Sequence, residues 1–424
     1  MEGREDSMDA TEPSSPRWAR LLWVMVGIQF IMTLSFTILS PIMPLFLPDL
    51  GVTSPGAIDL WAGILNGVTP FVAAFASPLW GRMADRHGRK QALLRSTFAI
   101  GVFTALMGVS ATVWQFFAAR ALMGAFAGFS AASIALVATQ VPEQRLGYSL
   151  GWLSTGQLVG GLVGPVLGGG IADVTGSYRV PFYATSAITF AAFLLVILLV
   201  AEQRGSAQAA KRKLPLLITL RLLLRAGGLL PLFFVLLLAQ FAVRTVQPVV
   251  TLFVQELTGN VASVATLAGF AFSVTGLADV IASPFLGKRS DVIGYRRVLL
   301  IALLGATLTT LPQAFAGNFW VFLAERFSVG CFIGGILPTA NALVGRMIPR
   351  EQRGTVYGMT ASATFLGNSL GPLTGGGLAA AVSIRFVFVV TALVLLATLA
   401  WVYLTVPEYT EARGLEPPPR LGRR

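Results

Sequence analysis

Hydrophobic residues in this chain fall in long blocks separated by short polar breaks. Twelve predominantly apolar runs follow one another, near 20–46, 58–80, 91–111, 114–139, 147–173, 179–201, 229–256, 262–286, 298–317, 319–345, 354–380 and 384–405. A helix rises ~1.5 Å per residue, so ~20 apolar residues cross a ~30 Å hydrocarbon layer, and each run predicts one crossing. In lipid only helices and closed barrels satisfy every backbone group, and runs this long exclude the ~10-residue alternating strands of a barrel. The expected fold is an all-α membrane protein with twelve transmembrane helices.

The polar breaks carry a second pattern. GRMADRHGRK at 81–90 is partly echoed by GKRSDVIGYR at 287–296, and aligning Ser77-Pro78 with Ser283-Pro284 superposes Gly81 on Gly287, Asp85 on Asp291 and Gly88 on Gly294, a spacing of 206. The register persists outside the loop. Ala62-Gly63 falls on Ala268-Gly269, Arg120 and Gly124 on Arg326 and Gly330, and Gly164-Pro165 on Gly371-Pro372 at a spacing of 207. Six spans have been duplicated in parallel, which predicts two pseudo-symmetric six-helix bundles, 18–201 and 229–405, with a binding site between them near the bilayer midplane. Residues 202–228 join them: EQRGSAQAAKRK is a polar linker, and LPLLITLRLLLR at 214–225 is too short to span and predicts an interfacial helix. Residues 1–17 and 406–424 are tails.

A net charge of +12 could point to nucleic acid, but its placement argues otherwise. With the N-terminus cytoplasmic, 26 of the 31 Lys and Arg residues fall in the tails and in the loops of one side, as the positive-inside rule requires. The partner is then the lipid bilayer, not nucleic acid, and the chain is a multi-pass protein of the inner or plasma membrane with both termini cytoplasmic. Cys331 lies inside a span and His87 in the basic loop, and each is the sole residue of its type. No disulfide framework, metal site or nucleophile dyad can be built from them, and no phosphate-binding P-loop is present. Neither an enzyme nor an ATP-driven pump is expected, and no cofactor.

GRMADRHGRK matches the signature GxxxDRxGR[RK], and Gly160xxxGly164-Pro165xxGly168-Gly169 matches an antiporter motif that recurs as Gly367xxxGly371-Pro372xxGly375-Gly376. By these residues the chain resembles the major facilitator superfamily, in particular its 12-helix drug:proton antiporters. The resemblance implies proton-driven efflux of amphipathic small molecules by alternating access, carried out by a monomer. It also implies a latch at Gly81, Asp85, Arg86, Gly88 and Arg89, with Asp291 as the weaker repeat. There Asp85 would face the positive end of the eleventh helix, held by Arg89, and favour the outward-facing state. The small residues of the antiporter motif predict a flat packing face and its proline a kink, together a bendable seam between halves. Transport of a specific metabolite such as a sugar, or a non-transporting receptor or scaffold, are the alternatives.

Thr33, Thr37 and Ser40 in the first span coincide, after a shift of 207, with Gln240, Arg244 and Gln247 in the seventh. Polar residues at equivalent places in both halves predict a shared central cavity. Arg120 is expected to face it, and Arg326 is its repeat. An arginine inside a span is costly and needs a cavity or a partner. Asp279 and Glu325 are the embedded acids, either proton carriers or ion-pair partners of Arg244 or Arg326. Since no acid lies between residues 20 and 46, where many proton-coupled relatives carry one, the proton site is not settled by the resemblance. Arg244 is expected to pair with Asp279 or to receive an anionic or zwitterionic substrate.

Overall fold

The computed structural model describes residues 15–201, 229–259, 261–347 and 353–406, without the side chains of 15–17, Pro78, Arg82, Asp85, Glu143, Leu229, 345–347, 353–359 and Ala361. The interfacial helix expected at 214–225 and the Asp85 carboxylate therefore lie outside the described residues. In chain order the first half contains α1 (Ser15–Ile38), α2 (Met43–Phe46), α3 (Pro55–His87), α4 (Arg89–Val109), α5 (Val113–Ala125), α6 (Phe129–Gln140), α7 (Leu146–Thr175) and α8 (Val180–Leu199). The second half contains α9 (Leu229–Thr245), α10 (Gln247–Thr258), α11 (Val264–Ile293), α12 (Tyr295–Thr310), α13 (Phe319–Met347), α14 (Arg353–Ala381) and α15 (Ile384–Thr405).

Among the described residues, eleven spans are long and apolar enough to cross a membrane. The twelfth, α14, is 29 residues long and richer in Gly, Ser and Thr. It can be so because it packs between α3 of the other half and α9 of its own, where small side chains permit close approach.

Two spans are broken by local chemistry. The seventh is interrupted at Val246, ahead of Pro248 at the start of α10, because proline supplies no backbone N–H. The fourth is interrupted between α5 and α6, where Gly128 has φ 133°, a conformation side-chain-bearing residues avoid. Carbonyls near this break find partners: Trp80 Nε1 donates to Ala125 O at 2.5 Å and Arg95 Nη2 to Ala127 O at 3.5 Å. The Arg95 guanidinium lies 3.4 Å over the Trp80 ring.

The duplication is visible bond by bond. Gly88 and Gly294 end the second and eighth spans with φ 101° and 96°. Lys90 Nζ donates to Ile197 O at 3.0 Å, and Arg296 Nη2 to Tyr403 O at 2.7 Å. At the opposite end of the bundle, Arg179 donates to Gly108 O and Ser110 O at 2.7 and 2.9 Å, while Arg385 donates to Ala314 O and Ala316 O at 3.0 and 3.2 Å. Each of these two arginines covers a buried triad of rings, Phe46–Phe116–Phe182 or Phe253–Phe322–Phe388. The end carrying Gly88 is the basic end of the bundle, and the opposite one is the far end.

The halves meet along α3–α14 and α7–α11, in the portions of these helices nearer the far end. A Cβ on Gly63 would fall 2.5 Å from Pro372 O and 2.9 Å from Gly376 Cα, and one on Gly169 would fall 2.7 Å from Thr266 Cα. Two hydrogen bonds cross here: the Thr266 N–H donates to Asp173 Oδ2 at 2.7 Å, and the Ser273 hydroxyl to Leu162 O at 2.5 Å.

Candidate functional site: a charged cavity between the halves

A cavity of about 220 Å³ lies where the first and fifth spans of one half meet the seventh, eighth, ninth, tenth and twelfth of the other. The first half contributes Thr37, Ser40, Gly161 and Pro165, and the second contributes Arg244, Gln247, Asp279 and Arg326. Two of the three stripe residues expected from each half are thus brought together. The others are not: Thr33 lines a separate cavity, and Gln240 is 7% exposed, with its Cβ 2.8 Å from the Cβ position of Gly367. The Thr37 hydroxyl is already engaged, lying 2.9 Å from Thr33 O and 3.1 Å from Gly160 O.

Arg244 is positioned by α9 one residue before that helix ends. Its Nε donates to Asn368 Oδ1 at 3.0 Å and its Nη1 to Gln247 Oε1 at 2.9 Å. Both partners are neutral, so among the described residues Arg244 forms no ion pair with Asp279. The Asp279 carboxylate instead accepts from the Ser283 hydroxyl at 2.9 Å, which also lies 2.7 Å from Gly334 O. Asn368 did not stand out in the sequence: it is a single short amide inside the glycine-rich eleventh span, and its repeat position is Gly161.

The two intramembrane arginines at the repeat position differ from expectation. Arg326 lines the cavity and donates through Nε to Ala271 O at 3.4 Å. Arg120 makes the equivalent bond to Leu65 O at 3.1 Å, but it is only 8% exposed and does not line the cavity. The α3 carbonyl satisfies it inside the first half. Glu325, one residue before Arg326, points elsewhere on α13. It does not line the cavity, and its buried Oε2 has no hydrogen-bond partner among the described residues.

The antiporter motif has two faces. Gly160, Gly164 and Gly168 lie against α1, where added Cβ atoms would fall 2.5 Å from Phe30 O, 2.9 Å from Leu34 O and 2.8 Å from Ile38 C. These contacts are inside the first half. The expected seam between halves belongs instead to Gly169 and to Pro165, whose carbonyl carbon lies 2.8 Å from the Cβ position of Gly269. The second half repeats the arrangement: a Cβ added to Gly371 would fall 2.6 Å from Phe241 O of α9, and the Pro372 carbonyl faces α3.

At the basic end, Gly81 lies within α3 and Arg86 is exposed. Arg89 Nη1 donates to Ala135 O at 2.8 Å and to the Thr139 hydroxyl, tying α4 to α6. The Tyr295 hydroxyl donates to Asp291 one turn earlier.

Two bundles in a common register, a polar cavity between them and glycine-packed helices at their contact define a fold that can be compared. The profile of the Major Facilitator Superfamily matches residues 25–267 and 232–421. The chain belongs to the major facilitator superfamily. Relatives in this superfamily include the multidrug resistance protein MdtG of Enterobacter lignolyticus (strain SCF1), 37% identical over 379 residues, 89% of this chain and 90% of that protein. MdtG of Serratia proteamaculans (strain 568) is 36% identical over 394 residues, 92% of this chain and 95% of that protein. Among solved structures, an inward-facing, occupied bacterial homolog of the human lysosomal transporter Spinster superposes with a TM-score of 0.75 at 16% identity, covering 93% of this chain and 97% of that one. A D-xylose-proton symporter gives 0.74 at 16%, covering 92% and 98%. The superfamily fold thus extends over nearly the whole chain, and the protein is a multi-pass membrane transporter.

Proposed function

We propose that this transporter exports amphipathic small molecules, drugs among them, in exchange for protons. The observation that carries the reading is the charge set of the central cavity: Arg244, Arg326 and Asp279 share it, and the carboxylate is in no ion pair among the described residues. An acid that is not locked to an arginine can exchange a proton with solvent or compete with a substrate for the arginines. The resemblance to MdtG proteins along about nine-tenths of the chain supports export of several drugs over uptake of one metabolite. Basic residues concentrate at the end that carries Gly88, which supports cytoplasmic termini and a cell-membrane location. In that orientation, closure at the far end corresponds to an inward-facing state. The basic loop with Asp85 then acts as the opposing latch when the cycle turns outward. The protein acts alone in this scheme, as a monomer and without catalytic chemistry.

Reconstitution tests the reading. In proteoliposomes, substrate entering one compartment should alkalinise that compartment, and a substrate that crosses with no proton movement would overturn coupling. Asp279→Asn should abolish proton-driven accumulation while leaving substrate-for-substrate exchange, a split that a merely misfolded variant would not give.

A further inference from the structure

The two contacts between the halves carry different chemistry at the far end. Asp173 and Thr266 join α7 to α11 there, and their repeat positions on the α14–α3 contact are Ala380 and Leu60, which cannot make that bond. On this second contact the first half instead places Asp59, where the second half has Ala265. Asp59 is 9% exposed, and its carbonyl oxygen lies 2.5 Å from the Cβ position of Gly376 in α14, so the packing of the other half against α3 helps to bury it. Among the described residues its carboxylate accepts no hydrogen bond and joins no ion pair. It also lies past the first turn of α3, beyond the stretch where the helix dipole favours a negative charge.

The charges on the elements around α3 do not offset that of Asp59. From the second half α10 packs against α3, and its Glu256 is near enough to repel the Asp59 carboxylate. Arg385 of α15 is already engaged, with Glu256 at 3.0 Å and with two carbonyls. α14 has no charged residue after Arg353, and α2 has none. Asp49, ahead of α3, is exposed. In α5 Arg120 is bonded to Leu65 O, while Arg89, Lys90 and Arg95 of α4 stand toward the basic end on carbonyls of their own. Two acids from opposite halves are thus brought together when the far end shuts, one of them buried without a partner.

We propose that Asp59 is a proton-binding site of the far-end gate: a proton taken up from the far compartment lets the halves close there, and its return to that compartment lets them part. Burial without a partner penalises the ionised carboxylate, and so does a like charge across the contact. Parting the halves gives Asp59 water and distance from Glu256, so the ionised form favours the open gate and the neutral form the closed one. By linkage, acid on the far side then favours closure. This proton acts on the gate without crossing the membrane, so the inference goes beyond the exchange reaction proposed above and does not depend on it.

The full-length protein carrying Cys331→Ala, with nitroxides at Val174 and Phe315, exposed residues at the far ends of the two halves, is measured in detergent micelles by pulsed electron spin resonance across a pH series. With Asp59 intact, the ratio of closed to open far ends should rise about tenfold or more from alkaline to acidic pH. Asp59→Asn, whose amide stands in for the protonated acid, should stay closed throughout. Its distance distribution should match the acidic one of the unsubstituted protein, which a misfolded variant would not. Glu256→Gln should respond less, because removing the like charge lets the far end close already at alkaline pH. A full pH response in Asp59→Asn, or distances that ignore pH when Asp59 is intact, overturns the proposal.

Discussion

A guanidinium at membrane depth must be solvated by something, and at Arg244 two amides, Asn368 and Gln247, provide the solvation. They accept from two of its N–H groups and carry no charge to offset its own, so an acidic substrate gains from Arg244 what a cationic one cannot. Arg244→Gln should reduce efflux of acidic compounds about tenfold or more and that of cationic compounds much less. Adding Asp279→Asn should not restore it, since no ion pair is being relieved. Efflux measured with a matched acidic and basic dye pair checks this, and equal losses followed by rescue would reveal a structural pair instead. The importance of Arg244 is legible in the sequence, because a charge within an apolar run stands out. Its partner Asn368 is not, and neither is the seclusion of Arg120, which depends on which face of the fourth span turns toward the Leu65 carbonyl.

Within α7, the glycine spacing is readable and its consequence is directional. A side chain at Gly164 would enter α1, with Leu34 O 2.9 Å and Thr37 Cβ 3.0 Å from the added Cβ, and the α1 backbone cannot yield cheaply. A Cβ at Gly161 would meet nothing nearer than Thr33 Cγ2 at 3.9 Å. Gly164→Leu should therefore abolish transport or folded yield, at a packing cost of at least about 1–3 kcal/mol, whereas Gly161→Ala should retain both. Thermal unfolding of the purified variants together with transport assays makes the comparison, and a fully active Gly164→Leu protein would contradict the close packing of α7 on α1. The motif alone suggested a seam between halves because spacing fixes a face without saying which helix covers it. The break at Gly128 also escapes the sequence. Glycine is common in transmembrane helices, and no proline marks this one.

Across the whole molecule, the duplication, the helix connectivity and the positions of the spans are legible, since each rests on runs of apolar residues or on a constant register. Which end is shut is not, because one sequence must pack both ways during transport. The Asp173 carboxylate, in the last turn of α7, accepts from the Thr266 N–H in the first turn of α11, so the helix dipole adds to a bond that joins the halves at the far end. Asp173→Ala should loosen that end. Nitroxides at Val174 and Val261, both exposed, should report longer and broader distances in pulsed electron spin resonance, and an unchanged distribution would remove Asp173 from the gate. The other anchors described above reach carbonyls of their own halves: Arg179 and Lys90 donate to first-half carbonyls, while Arg296 and Arg385 donate to second-half carbonyls, Arg385 also pairing with Glu256 at 3.0 Å. Each half thus carries fastenings of its own, which predicts that the peptide joining them acts as a tether. Expressed together as two polypeptides, residues 1–213 and 214–424 should find each other in the bilayer and recover efflux. The natural chain then gains from its continuity a high local concentration of one half around the other.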